Sequence, residues 1–273
     1  MSSQTTLVEL PAVVRTFEQY AMVDFAIGDN DPVYFAVVEA NDLWGTPWAS
    51  RFCVAMMTYY HMGTAVTAAD QEGKHFWDYL KSRFNEAPRG AARRHFRGNN
   101  GLAGLASMEK YAAVPEIFFD KMPSSFLGIK DQCGKHLYGF GPYFWLKIAD
   151  YMDRCLGFSI DYTGLDKHLS TEPARAAAQL HPDMPIPMAF NAACNRIYRQ
   201  NLLAPPTYNR LVGPAEVETA LCDWSHAKKG TNWLGADLIV KRDALKGYGG
   251  KAAMMSDWLP TLVPRERFML SLI

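Results

Sequence analysis

The stretch FLGIKDQCGKHLYGFGPYFWLKIADYMDRCLGFSID, residues 126–161, decides how this chain is read. Its first part keeps helical spacing and ends near His136 or Leu137. Gly139-Phe140-Gly141 then turns the chain, and a second helix starts at Pro142, a residue suited to the first helical position. Phe144, Leu146, Ile148, Ala149, Met152, Cys155 and Leu156 give that helix an apolar face, and Gly157 marks its stop. The pattern is a helix-hairpin-helix over residues 126–157. Glycine at both turn positions permits positive φ and lets an outside group approach the backbone. The following helix offers open amides and the positive end of its dipole, which together bind phosphate. Gly139, Gly141 and Tyr143 are therefore candidate DNA contacts. Lys147, one turn further on, is either another phosphate contact or a solvated surface lysine. The same glycines also serve an ordinary helix–helix turn that holds no ligand.

Working outward, most of the chain is helical in pattern. Apolar residues recur at helical spacing over Leu7–Ala26, Trp48–Thr67, Phe76–Phe84, Asn100–Tyr111 and Ala112–Phe119. Later segments at Glu172–Leu180, Ala189–Asn201, Pro214–Ala227 and Arg242–Ala244 are further helices, while His181–Pro187 and Ala204-Pro205-Pro206 are connections. Few segments alternate with period two, so the expected class is all-α. The length, 273 residues with 49% hydrophobic, suits one large domain or two small lobes around a sizeable core. No apolar run has the roughly 18 residues a membrane helix needs, and residues 1–9 lack the pattern of a signal peptide. Five scattered cysteines without a C-x-x-C argue against a disulfide framework or a zinc ribbon and fit a reducing cytoplasm. The seven histidines show no metal-ligand spacing, so no protein-bound metal and no cofactor motif are expected.

Lysine plus arginine and aspartate plus glutamate number 28 each, which excludes an overall polycation. The charge is unevenly spread, however. Residues 1–50 carry seven acids and one base. Between Ala87 and Met108 lie Arg89, Arg93, Arg94, His95 and Arg97 with no acid. A second island, from Asp223 to Lys251, includes Lys228 and Lys229 and has six bases against three acids. Such islands on a neutral chain point to an anionic ligand touched at defined places, or to solvated helical faces. On a helix Arg93 and Arg97 share one face, and the planar guanidinium fork binds phosphate bidentately.

Asp161 stands 22 residues after Gly139. In the hairpin, in this spacing and in Gly157, the segment resembles endonuclease III-type DNA glycosylases, whose hairpin reads L-P-G-V-G-x-K-T-A and whose catalytic aspartate has the same offset. The resemblance implies a two-lobed helix-hairpin-helix scaffold. One lobe would comprise residues 1–60 plus 165–273 and the other 61–164, with the hairpin at their junction and Asp161 lining the cleft. The sequence departs from that family at Tyr143, which stands where its nucleophilic lysine would be, and in lacking the four-cysteine iron–sulfur loop. Lyase chemistry through a Schiff base is therefore not expected.

A second resemblance runs through most of the chain. It is carried by Glu39-Ala40-Asn41-Asp42, Tyr59-Tyr60-His61-Met62-Gly63-Thr64, Pro88-Arg89-Gly90 with Arg93–Gly98, Gly139–Tyr143, and Leu221-Cys222-Asp223-Trp224 with Lys228-Lys229-Gly230. In these stretches the chain resembles the phage alpha-glutamyl/putrescinyl-thymine pyrophosphorylases, also called amino acid:DNA transferases. The resemblance implies an enzyme acting on double-stranded DNA that carries 5-(pyrophosphoryloxymethyl)uracil. An amino acid or putrescine would replace pyrophosphate on a base flipped out of the duplex, in the cytoplasm of the phage-infected host. Arg89, Arg93, Arg94 and Arg97 would then hold pyrophosphate, with magnesium as a possible companion of that group. His95 would add a donor or a proton. Asp161 has three readings: proton acceptor for the attacking amine, stabiliser of a cationic methylene, or plain helix cap. Residues 37–42, Val37-Val38-Glu39-Ala40-Asn41-Asp42, run from an apolar segment into an expected loop; Glu39 and Asn41 would read the base edge or the amine there, while Asn41 or Asp42 could instead cap a helix. Trp44, Trp48, Trp145, Trp224, Trp233 and Tyr143 are candidates for stacking on the extruded base or for the core. Two other functions fit the same scaffold, a base-excision glycosylase and a non-catalytic DNA-binding module.

Overall fold

The computed structural model of the chain describes residues 14–90 and 98–261. These residues form thirteen α-helices and no strand. The chain folds into two compact units. The first comprises the described residues of Met1–Asp31, Thr171–Leu238 and Pro260–Ile273; the second comprises Pro32–Ser170 and Ile239–Leu259.

In the first unit, α1 (Phe17–Ile27) opens on a capping box formed by Thr16 and Gln19 and closes at Gly28, whose φ is +71°. It packs on α10 (Ile186–Tyr198) and α11 (Pro214–Lys228), both of which pack on α9 (Thr171–Leu180). Trp224 of α11 anchors this core, with the rings of Tyr20 at 5.4 Å and Phe17 at 6.4 Å. Just beyond α1, buried Asp29 accepts from the amides of Gly235 (2.7 Å) and Leu238 (3.0 Å), and so caps the start of α12 (Ala236–Asp243) from a distant part of the chain. Asn30 Nδ2 donates to Asp24 Oδ2 at 3.0 Å and to the Glu216 carbonyl at 3.4 Å.

In the second unit, the helices are α2 (Val33–Trp44), α3 (Thr46–Tyr59), α4 (Met62–Ala69), α5 (Gly73–Ser82), α6 (Gly98–Tyr111), α7 (Phe126–His136), α8 (Pro142–Asp150) and α13 (Lys251–Trp258). Fully buried aromatics dominate its core, among them Trp77, Tyr34, Tyr59, Phe52, Phe118 and Phe119. Each such side chain contributes about 1.5–3 kcal/mol of burial.

Four sequence expectations need correction. Residues 37–42 are no transition to a loop: they lie inside α2, whose buried Val33, Tyr34, Ala36, Val37 and Ala40 follow helical spacing. The helix expected over 48–67 is broken, because Tyr60 is left-handed (φ +50°) and His61 is extended, its imidazole capping α4. Residues 112–119 make only a short 3-10 turn at Pro115–Ile117, where extended Val114 and a proline without an amide prevent a longer helix. The helix expected over 142–156 is α8 for its first part and a π turn over Tyr151–Cys155 for the rest, ended by Gly157 at φ +78°.

Candidate functional site

The segment read from sequence as a hairpin folds as α7, a glycine turn and α8. Leu137 ends α7 with its amide on the Cys133 carbonyl at 2.8 Å. Gly139 takes φ +79°, which favours glycine, while Gly141 is extended. The Trp145 indole N–H donates to the Phe140 carbonyl at 2.7 Å, and the Phe140 and Phe144 rings pack at 4.8 Å, so the turn is held from within. Among the described residues no group accepts from the amides of Gly139 or Gly141, and a Cβ added at either glycine would meet nothing within 4 Å. The main chain at both glycines is thus open to an outside acceptor. Half-buried Tyr143 follows, packed edge-on against Phe144 at 5.4 Å.

Lys147 differs from its expected surface placement. It is 6% exposed, its ammonium lies 2.8 Å from Tyr34 Oη and 3.9 Å from Asp150 Oδ2, and Tyr34 Oη donates to Asp150 Oδ2 at 3.1 Å. Buried Arg154 also lies over the Tyr34 ring, 4.5 Å from its centroid. The reason is the packing of α8 on α7 and the π turn, which itself packs on α2, so that the Lys147 side chain points inward to Tyr34. The apolar periodicity of this helix does not by itself reveal the polar group. The visible signal was the spacing of Lys147, Asp150 and Arg154 on one helical face.

Asp161 is exposed and joins the start of α7 through its backbone: its carbonyl accepts from Phe126 N at 2.8 Å and its amide donates to the Ser124 carbonyl at 3.1 Å. Its carboxylate accepts from the Thr163 amide at 2.9 Å. The Thr163 side chain and then the Thr163 amide hold it below the usual aspartate range. A depressed carboxylate stays anionic and is a weak proton acceptor.

Arg89 is half-buried with its guanidinium 4.3 Å from the Phe84 ring centroid and 5.9 Å from that of Tyr59. The next residue, Gly90, donates to the Tyr59 carbonyl at 3.0 Å, and an added Cβ there would lie 2.2 Å from the Tyr60 carbonyl oxygen. Arg93, Arg94, His95 and Arg97 lie outside the described residues. The chain that carries them therefore leaves from a point fixed against the end of α3.

Glu39 and Asn41 sit two apart on α2 and face different ways: Glu39 is exposed, while Asn41 Oδ1 is buried and has no partner among the described residues. Lys228 and Lys229, at the end of α11, belong to the first unit. Exposed Lys228 lies 5.6 Å over the Trp224 ring, and Lys229 pairs with Glu172. That pairing, helped by Ser225, holds the Glu172 carboxyl down to about 2. Most stacking candidates serve packing. Trp48 is buried, donates to Asp70 at 2.8 Å and packs on Trp44 at 4.5 Å, which also meets Trp258 at 5.1 Å. Among the described residues no group of three or more His, Cys, Asp or Glu is placed to hold a metal ion.

An all-helical chain with an open glycine turn ahead of a helix has the chemistry to take up phosphate through its main chain. The sequence profile of the amino acid:DNA transferases matches residues 18–231. The chain is similar to a putrescinyltransferase of Delftia phage PhiW-14, 31% identical over 254 residues that cover 88% of this chain and 82% of that protein. It is also similar to a glycinyltransferase of Pseudomonas phage PaMx11, 26% identical over 272 residues that cover 84% of this chain and 91% of that protein. The chain belongs to the amino acid:DNA transferase family, and it is a transferase.

Proposed function

We propose that this chain replaces the pyrophosphate of 5-(pyrophosphoryloxymethyl)uracil in double-stranded DNA with an amine, either an amino acid such as glycine or a polyamine such as putrescine. The observation that carries the reading is the family match across residues 18–231, which spans α2, the Arg89–Arg97 stretch, the glycine turn and Asp161. In the reaction a neutral amine nitrogen forms a bond to the exocyclic methylene carbon. The methylene C–O bond breaks, pyrophosphate leaves with that electron pair, and one proton passes from nitrogen to solvent or a nearby base. The main-chain amides of Gly139 and Gly141, at the approach to Tyr143, take a DNA phosphate. Arg89 and, by sequence, Arg93, Arg94 and Arg97 meet the charge that builds on the leaving group, with His95 as a further donor. Asn41 Oδ1, buried and without a partner among the described residues, is the candidate acceptor for the base edge. The depressed carboxyl of Asp161 favours the role of a fixed anion beside a cationic methylene over that of a proton acceptor. Lys228 is available to a DNA phosphate, whereas Lys229 must first give up Glu172. Magnesium enters this proposal as a counter-ion of the pyrophosphoryl group, and the setting is the cytoplasm of the infected host.

The test is nucleoside mass spectrometry after the protein is incubated with DNA bearing 5-(pyrophosphoryloxymethyl)uracil and a mixture of glycine, other amino acids and putrescine. The expected product is a nucleoside heavier by one amine in place of pyrophosphate, and Asp161→Asn should lower its yield at least tenfold. Free base with abasic DNA would move the chain to the base-excision glycosylases. Unchanged DNA bound equally well by Asp161→Asn would leave a non-catalytic DNA-binding module.

A further inference from the structure

We infer that Lys241 and His61 form a phosphoryl-oxyanion site in the second unit, and that its ligand is the pyrophosphoryl group of the proposed reaction, the reading on which this inference rests.

Lys241 lies on α12 and is 1% exposed, its ammonium 3.4 Å from the centroid of the Tyr60 ring. Among the described residues that ammonium has no hydrogen-bond partner. A buried charge is costly to desolvate, and a ring face supplies attraction but no acceptor for the three N–H donors. The other buried lysine of the second unit, Lys147, has Tyr34 and Asp150 against it. The acid closest to Lys241 in the chain, Asp243, pairs instead with Lys246 at 2.6 Å. The Lys241 side chain thus holds N–H donors that wait for an acceptor from outside.

His61 supplies the second donor. Its Nδ1 accepts from the Thr64 amide at 3.2 Å and lies 3.0 Å from the Thr64 hydroxyl, which donates to the Pro88 carbonyl at 2.9 Å. An Nδ1 that accepts from an amide leaves the ring proton on Nε2. Burial first, and then the Lys241 charge, lower the His61 pKa, so the ring stays neutral at physiological pH and Nε2–H remains a donor. The Tyr248 ring lies 6.0 Å from the imidazole.

Two glycines bring the segments together. The Gly63 amide donates to the Ala244 carbonyl at 3.0 Å, and a Cβ there would stand 2.4 Å from the Tyr248 ring. Gly90 lies against Tyr60 in the same close manner, and Thr64 ties His61 to Pro88. Residues 59–64, 88–90 and 241–248 therefore converge on Tyr60, His61 and Lys241. A site made of an ammonium and an imidazole N–H offers donors, which suits phosphoryl oxygens. A DNA backbone phosphate shares that chemistry. Burial of Lys241 to 1% favours a small terminal group that can enter, and pyrophosphate is such a group.

The experiment is calorimetric titration of the full chain with inorganic pyrophosphate, inorganic phosphate and unmodified duplex DNA, in wild type, Lys241→Met and Lys241→Arg, with circular dichroism as the check on folding. Lys241→Met should weaken pyrophosphate binding by about tenfold or more, as expected for loss of a charged hydrogen-bond donor. Lys241→Arg should stay within about threefold of wild type, since it keeps the charge and its donors. Affinity for unmodified duplex should be the same in all three. Where Lys241→Met does not fold, His61→Leu carries the same comparison. Equal pyrophosphate affinity in wild type and Lys241→Met would overturn the site, and so would a matching loss of duplex affinity, which would mark a backbone contact. Wild type that makes the aminated nucleoside yet binds no pyrophosphate would overturn the site and leave the reaction standing. Wild type that binds pyrophosphate through Lys241 yet makes no product would keep the site and sink the reaction.

Discussion

Asp29→Asn should remove a pH dependence that is built into the first unit. Asp29 is 3% exposed, and its carboxyl is pushed up to about 7, first by burial and then by the charge of Asp237, against the pull of the Leu238 and Gly235 amides. Its folded pKa therefore lies above the unfolded value of about 3.9. Between these two values the folded chain holds the proton that the unfolded chain has released. Stability from this group is present at low pH and is lost as pH rises through about 7. Linkage over that difference gives a loss of about 2 kcal/mol between pH 5 and pH 7. Asp24, also pushed up by burial and then by the Asp29 charge, adds in the same direction. Glu172, held down to about 2, acts in the opposite sense, but its contribution is lost only below about pH 4.5 and lies outside the window. Asparagine does not titrate and keeps one carbonyl oxygen for the two amides at the start of α12. It should cost about 1 kcal/mol at pH 5 through the poorer cap. Urea unfolding followed by circular dichroism at pH 5, 6 and 7 measures this. Wild type should lose stability with rising pH, and the variant should lose about 2 kcal/mol less, so the two curves converge or cross near pH 7. A wild type that gains stability from pH 5 to 7, or a variant with the wild-type slope, would refute the reasoning.

Two further substitutions separate stability from function. Gly90→Ala places a Cβ 2.2 Å from the Tyr60 carbonyl oxygen, a backbone atom that cannot swing aside; thermal unfolding should show a loss of about 1–3 kcal/mol, typical of overpacking, together with weaker pyrophosphate binding. Gly141→Ala should be nearly neutral in the same unfolding assay, because the site is open and its backbone extended. It should nonetheless weaken duplex binding several-fold in a filter or fluorescence titration, since a methyl group then stands where a phosphate would approach the amides.

The all-helical class was set by sequence alone, because hydrophobic spacing is local and few segments alternate with period two. The sharpest local signals were also legible. Pro142 and Gly157 bracket α8 and its π turn, and Gly139 takes the positive φ that its identity allows. The family could be recognised from short motifs, and the match over residues 18–231 agrees with that recognition. What the sequence could not fix is the side on which a polar residue ends up. Lys147 reads as a surface lysine until α8 packs it onto Tyr34, more than a hundred residues away in sequence. Asn41 reads as a loop or cap residue until α2 forms around it. Lys241 reads as one base in a solvated island until α12 folds its ammonium over Tyr60, and His61 gains a neighbour 180 residues distant in the chain. Helical period and turn chemistry are properties of a few adjacent residues. Burial, donor direction and charge pairing belong to whichever segments tertiary packing brings together, and those segments are far apart along the chain.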